Sequence, residues 1–550
     1  MSTLKDKNGV TGLENIGRRH LRRIHRNLPT ALLYQEILAN REGQIAHLGP
    51  IVTRTGHFAE LPDRHRYIVA NEAGRKNVLW TDATQSMTPQ QFGVMFSRLV
   101  SYMQNKEAYV QTVWVSAHPK HRVGLRIITE TGWHSLFIRN LYRPIHEPGE
   151  GSDYSPDFTI AHAPGFISIP DSDGTSTTSF LVLNMGEKAL FIGGTSYAGE
   201  ISQAIFTVAG TILNQKGVFS LRCASNVGKN GDVALFLGRR GTGKTSLATD
   251  PDRAFMGDHG HGWDDDGVFA FEKGCYAKVS GISAEDQPEL YACTQSFGTI
   301  LENVTIDPDT TKIDLSDRSL TENTRAAYPA THLPGHVEDG MAGHPKNVFM
   351  LTKDAFGVLP PLARLSPEQA VYAFLSSYTS LFTEAKAGPS DPQPQFSACF
   401  GTCPIAMAPH EYALSFMEKI KRHEVTCWLM NTGWIGEPYG ESERVSIALS
   451  RALVNAVTSG ALENVEYETD PVFGYEIPVS CPDVPSQMLN PRNMARDSGE
   501  FEVRANRLAE EFMKDFDKFG DDMPEEVRSR LSRVMSLENM LDVVDLDFSM

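Results

Sequence analysis

The sequence predicts an α/β protein of two large domains, the second built around a phosphate-binding loop. Three observations carry this. The chain has 550 residues, more than one hydrophobic core ordinarily holds. Short apolar runs of strand type alternate with helix-type patterns along it. Finally, residues 238–245 read G-R-R-G-T-G-K-T, between the apolar run Val233-Ala234-Leu235-Phe236-Leu237 and the helix-compatible Ser246-Leu247-Ala248. The expected units are residues 1–217; residues 218–520, which carry that loop; and residues 521–550, an acidic-apolar tail.

Composition narrows the function classes. A net charge of −17 leaves no basic surplus to neutralise phosphates, which argues against a general nucleic-acid binder. No apolar run has the length of a membrane span, and the first residues lack the apolar centre of a signal peptide. The seven cysteines are odd in number and scattered, with only Cys399 and Cys403 close together. Reduced thiols in a cytoplasmic protein account for them most simply.

Taken in order, the chain opens with a basic cluster, Arg18-Arg19-His20 and Arg22-Arg23, read as a solvated helix face. Helix-like and strand-like patterns alternate from Tyr34 to Ala70, with a turn at Thr55-Gly56-His57-Phe58. Strand patterns follow over residues 109–115, 125–129, 180–183 and 189–192, and the Gly/Ser/Asp/Pro-rich residues 147–176 read as loop. Apolar residues at helical spacing predict a helix over 200–213. Residues 218–223 form the next strand. Past the phosphate loop, Phe255-Met256-Gly257-Asp258 is a short apolar run ending in a carboxylate. Residues 260–267, G-H-G-W-D-D-D-G, read as a turn, since the aspartate spacing matches no EF-hand loop. Residues 384–395 read as a surface loop or mobile lid. Val503, Leu508, Phe512, Phe516 and Phe519 predict a core-facing helix stripe. The tail after Pro524 reads as a frayed end, with docking to a protein partner the other possibility.

The loop carries the chemistry. Gly238, Gly241 and Gly243 let backbone N–H groups turn inward beside Arg239, Arg240 and Thr242, making an anion nest at a helix start. Lys244 reaches the terminal phosphates of ATP. Thr245 holds Mg²⁺ through its hydroxyl, and Asp258, at a strand end opposite the loop, is the expected partner for that ion.

Other segments resemble one family, the ATP-dependent phosphoenolpyruvate carboxykinases. They include G-D-H-G-H-G-W-D-D-D-G-V-F-A-F-E-K-G-C-Y-A-K at 257–278, T-E-N-T-R-A-A-Y-P at 321–329 and D-A-F-G-V-L-P-P at 354–361. Trp133–Phe137, Asn226–Gly228, Leu301–Val304, Phe396–Phe400 and Asn431–Trp434 also look like the family. The resemblance spans roughly residues 12 to 520. It implies a two-domain fold with the active site in the cleft between a substrate-side domain and a P-loop domain, and a lid at 384–395. It further implies transfer of the γ-phosphoryl of ATP to the enolate formed when oxaloacetate loses CO₂, with two divalent ions. On the ATP side, Lys244, Thr245 and Asp258 carry over, and so do Arg325, Lys278 and Arg444.

The substrate side departs from the pattern. The family's carboxylate-gripping arginine falls on Leu61, and a lysine pair falls on Ser202-Gln203. A metal-binding histidine falls on Arg222, and the second aspartate of G-D-D on His259. An arginine offers no lone pair and stays charged, so Arg222 cannot hold a divalent ion. Leu61 has no charge with which to orient a dicarboxylate. Guanidinium groups stabilise phosphoryl transfer much as a metal does, so Arg222 is expected to replace the second metal, with Arg239 and Arg240 nearby. A salt-bridged role without chemistry is the other reading of these arginines. His259 or His261 is a candidate general base.

The leading expectation is therefore an ATP-binding phosphotransferase that uses Mg²⁺ and an anionic acceptor other than oxaloacetate. Lys244, Arg325, Arg222 and His259 carry the chemistry in it. A genuine carboxykinase with a rebuilt site and a nucleotide-binding scaffold are the alternatives.

Overall fold

The computed structural model describes residues 21–81, 84–145, 155–382, 392–520 and 522–523. Its second half depends on the strand that leads into the glycine-rich loop, Val233–Gly238, which is buried along its length. Val233, Leu235 and Leu237 enter one core with Val348 and Met350. Ala234 and Phe236 enter another with Phe349, Leu351 and Met430. A strand covered on both faces must be apolar at every position, which explains the unbroken run. The strand lies inside an eleven-stranded sheet. It is parallel to Pro345–Thr352, which is in turn parallel to Thr426–Asn431. Three carboxyl-terminal strand ends thus open on one side, where open α/β sheets take their ligands.

The first half forms a nine-stranded mixed sheet. Glu107–Val115 and Val123–Thr129 make its hairpin. Helix Gly199–Asn214 lies against this half. Its Ile201, Ile205, Ala209 and Leu213 share a core with Leu125 and Ile127, and also with Phe269 and Phe271 from the second half. A five-stranded sheet also joins the halves: Ile51–Thr53 runs parallel to Ile300–Glu302 and so extends the sheet that holds Gly274–Lys278 and Arg325–Pro329.

The α/β expectation holds, and so do the strands and the helix read near residues 109–129, 180–192 and 199–214. Four local readings are corrected. Within the presumed loop 147–176, Phe158–Ala163 is a fully buried strand between Val123–Thr129 and Ala189–Gly193, because its six residues are short and apolar enough for an interior position. Gly260–Trp263 is also a strand, its glycines packed on Phe271 and Phe269; only the three aspartates form the turn. Arg23 belongs to a strand, Arg23–Arg26, that pairs with Glu107–Val110. On helix Ser498–Gly520, Val503 is exposed, and the buried stripe is Phe501, Ala505, Leu508, Ala509, Phe512 and Phe516.

All seven cysteines are free. Among the described residues no helix is long and apolar enough to cross a membrane. Arg18-Arg19-His20, residues 384–391 of the expected lid, and the tail apart from 522–523 lie outside the described residues.

Leu235 contributes a fully buried side chain beside the phosphate-loop end of its strand. We expect Leu235→Ala to cost about 2–5 kcal/mol in guanidinium unfolding. A loss below about 0.5 kcal/mol, the scale of surface substitutions, would contradict this packing.

Candidate active site

The phosphate loop closes on itself. Gly241 and Gly243 take φ of 82° and 93°, the left-handed region where a side chain is strained. A Cβ on Gly238 would meet Thr242 Oγ1 at 2.5 Å. Thr242 Oγ1 donates to Arg239 O at 2.8 Å. The Lys244 ammonium donates to Gly238 O at 2.6 Å and Arg239 O at 3.2 Å, so it caps the carbonyls of its own loop. Arg444 braces the loop from the far side, its guanidinium donating to Gly241 O at 3.0 Å and Thr432 O at 2.7 Å. Thr432 Oγ1 donates to Thr242 O at 3.0 Å, which ties the loop to the end of strand Thr426–Asn431. Arg239 reaches toward Gln395 at 3.5 Å. That residue sits on strand Gln393–Ser397, at the base of the expected lid.

Opposite the loop, Asp258 follows strand Ala254–Gly257 and accepts the Thr245 hydroxyl at 2.6 Å. Burial pushes the Asp258 carboxyl above its usual range. Burial, reinforced by Arg222, pulls the Lys244 ammonium below its own. The half-buried Thr245 hydroxyl and the buried Asp258 carboxylate are a hard donor pair of the kind Mg²⁺ takes with ATP phosphates, so the residues fit that ion.

Fixed positive charge surrounds this pair. Arg325 opens strand Arg325–Pro329 directly across from Lys278. Its guanidinium donates to Asn323 Oδ1 at 3.1 Å and Tyr276 O at 3.3 Å. Arg222, on strand Phe219–Val227, lies over the Phe206 ring at 5.9 Å. Among the described residues no hydrogen bond or ion pair engages its guanidinium, yet it acts electrostatically on Lys244, His259 and Glu60. Arg240 pairs with Glu60 at 2.6 Å and donates to Tyr197 OH at 3.1 Å. The salt-bridged reading of Arg240 therefore describes its geometry, and that bridge joins the two halves of the chain.

Glu60 is a functional candidate that sequence reasoning missed. Burial raises its carboxyl, but Arg240, Arg222, Arg66 and Arg325 outweigh that and hold it below the usual carboxylate range. Its neighbour Leu61 is buried, with its amide donating to Glu200 and its carbonyl accepting from Arg66. Position 61 thus belongs to the wall, and position 60 carries the charge. The signal was present in sequence as an acid beside the expected arginine position, but no spacing rule singles it out.

His259 Nδ1 donates to Glu272 Oε1 at 3.1 Å. Burial and then Arg222 lower its pKa, while His259 and the Gly260 amide hold Glu272 below its usual range against burial. In the tautomer with Nδ1–H on Glu272, Nε2 carries the ring's lone pair. His261 is set apart: burial lowers it to about 4, and its Nε2 meets Ser225 Oγ at 2.6 Å inside the sheet. Glu302, also unforeseen, is pushed up to about 8 by burial, against the pull of Arg325. Lys353, lowered to about 8 by burial and then by Arg444 and Lys278, adds a cation on the nucleotide side.

At the positions that the resemblance assigns to the second metal, Arg222 carries a fixed positive charge and His259 faces Glu272 through Nδ1. On helix Gly199–Asn214, Ser202 is buried, and Gln203 Oε1 is buried without a hydrogen-bond partner among the described residues.

A family model described as phosphoenolpyruvate carboxykinase matches residues 22–487. A Geotalea uraniireducens protein named phosphoenolpyruvate carboxykinase (ATP) is 46% identical over 525 residues, covering 95% of this chain and 99% of that one. A Pelobacter propionicus protein of the same name is 46% identical over 522 residues, covering 95% and 98%. One from Thermus thermophilus is 42% identical over 518 residues, covering 94% and 98%.

A lowered Lys244 gives the site a pH signature. Bound phosphate favours the charged ammonium, so ATP affinity should fall as pH rises from neutrality toward the ordinary lysine range of about 10.4. In Lys244→Arg the charge persists, and that decline should flatten. Calorimetric titration across the range reads both, and parallel declines in the two proteins would show that Lys244 is not the titrating group.

Proposed function

Because the chain belongs to the ATP-dependent phosphoenolpyruvate carboxykinase family, we propose that it transfers the γ-phosphoryl group of ATP to a small anionic acceptor beside Arg222. The phosphate loop with Thr245 and Asp258 supports the ATP half of this reading. Lys244 exchanges its loop carbonyls for phosphate oxygens, and Arg325, Arg240 and Lys278 line the path of the developing charge. Bound Mg²⁺ would neutralise the phosphates, with Thr245 and Asp258 as its protein partners.

Two acceptors are considered. The relatives' names support oxaloacetate, decarboxylated and phosphorylated to phosphoenolpyruvate. One observation favours a different acceptor: the unengaged Arg222 guanidinium stands where the family holds its second ion. In this second reading the acceptor is a hydroxyl-bearing anion. Its anionic group pairs with Arg222, and its hydroxyl proton passes to His259 Nε2. The acceptor oxygen bonds to the γ-phosphorus as the bond to the β-phosphate oxygen breaks, and ADP leaves. Glu272 holds the resulting imidazolium.

Phosphorus NMR of purified protein with ATP, Mg²⁺ and either oxaloacetate or a panel of hydroxy acids separates these. We expect turnover that drops by on the order of a thousandfold or more in Lys244→Ala. Phosphoenolpyruvate as the product selects the carboxykinase reading. A phosphorylated hydroxy acid, with the rate falling in His259→Gln, selects the second. Tight ATP binding with no product from any acceptor would contradict phosphoryl transfer and leave a nucleotide-binding scaffold.

A further inference from the structure

Away from the nucleotide site, two histidines and an aspartate from opposite halves of the chain converge. His118 and His121 flank Pro119-Lys120 in a single helical turn, Pro119–His121. That turn links strands Glu107–Val115 and Val123–Thr129 of the nine-stranded sheet. Asp264 follows strand Gly260–Trp263 of the eleven-stranded sheet. One ligand atom from each residue lies within 4.8 Å of the other two. We propose that His118, His121 and Asp264 form a binding site for a zinc-class divalent ion that staples the two sheets together.

The carboxylate is already oriented. Asp264 Oδ1 accepts the amides of Asp266 at 2.8 Å and Gly267 at 3.1 Å. Its Oδ2 lies 2.8 Å from His121 Nε2 and 3.9 Å from His118 Nε2. Ligands about 2.0–2.1 Å from a tetrahedral zinc stand about 3.3 Å apart, between these two spacings. Small side-chain movements therefore close the set. Both rings lean on Phe269, at 5.4 and 5.6 Å between centroids, which limits their freedom. The backbone here is fixed as well: the amides of Ser116 and Ala117 donate to Phe271 O and Ala270 O at 3.1 and 2.8 Å.

Two imidazoles and one carboxylate suit zinc or cobalt better than magnesium, which prefers oxygen alone. The histidine side chains are part-exposed at 14% and 17%, so an ion can enter and a water can complete the shell. Asp266 stands 3.9 Å from His118 Nε2 and is shared with Lys120 at 3.0 Å. Binding through His118 Nε2 puts that ring's proton on Nδ1. The cost is one long contact, the Lys120 amide at 3.3 Å.

The test is a Co²⁺ titration of the full chain in excess Mg²⁺, read by visible absorption and checked by Zn²⁺ competition. We expect one tetrahedral-type Co²⁺ band per chain, displaced by Zn²⁺. It should be lost in the His118→Gln/His121→Gln double variant. In Asp264→Asn the affinity should fall at least ~10–100-fold, the range of outer-shell changes at metal sites. Zn²⁺ should also raise the melting temperature of the parent chain but not of the double variant, whose metal-free melting temperature reports its folding. Absence of a Co²⁺ band, or a band and a Zn²⁺ melting shift that persist in the double variant, would overturn the proposal.

Discussion

The active site is governed by an excess of fixed positive charge in a buried space. Lys244, Arg222, Arg240 and Arg325 act on one another electrostatically around Glu60 and Asp258. Burial raises Asp258 and Glu302, while neighbouring groups hold Glu60 and Glu272 below the usual carboxylate range. Buried charge is costly unless paired. The arrangement is therefore most stable when an anion of high charge enters, and a nucleoside triphosphate is such an anion. The lowered Lys244 ammonium, folded back on its own loop, reflects that crowding of positive charge.

The fold supplies this convergence from distant segments. Arg222 lies on a strand that pairs directly with the strand ending just before Asp258, Arg325 comes from the five-stranded sheet, and Glu60 from the first half. The parallel strands ending near the phosphate loop provide the floor. The Arg240–Glu60 bridge crosses between the halves, which makes the charge balance of the site dependent on how they meet.

Much of this was legible in the sequence. The phosphate loop announces itself because its glycines and Lys244 obey a local geometric rule, and Val233–Leu237 is apolar because it is covered on both faces. Arg222 stood out because the resemblance sets it at the position of a metal-binding histidine. The misses were non-local. Nothing in the spacing around Glu60 tells that four arginines surround it. The pairing of His259 with Glu272 joins residues thirteen apart through two strands whose register is set by the sheet. Phe158–Ala163 was lost among loop-forming neighbours, since its strand character lies in burial. Val503 failed because a hydrophobic residue one step off a helical stripe faces water.

The central claim is that Arg222 takes the electrostatic place of a second metal ion. A crystal structure with ATP and Mn²⁺, with anomalous scattering measured at the manganese edge, tests it most directly. The account predicts one anomalous peak at the active site, next to Thr245 and Asp258, with the Arg222 guanidinium facing phosphate or acceptor. A second peak coordinated by Gln203 and His259 would contradict it.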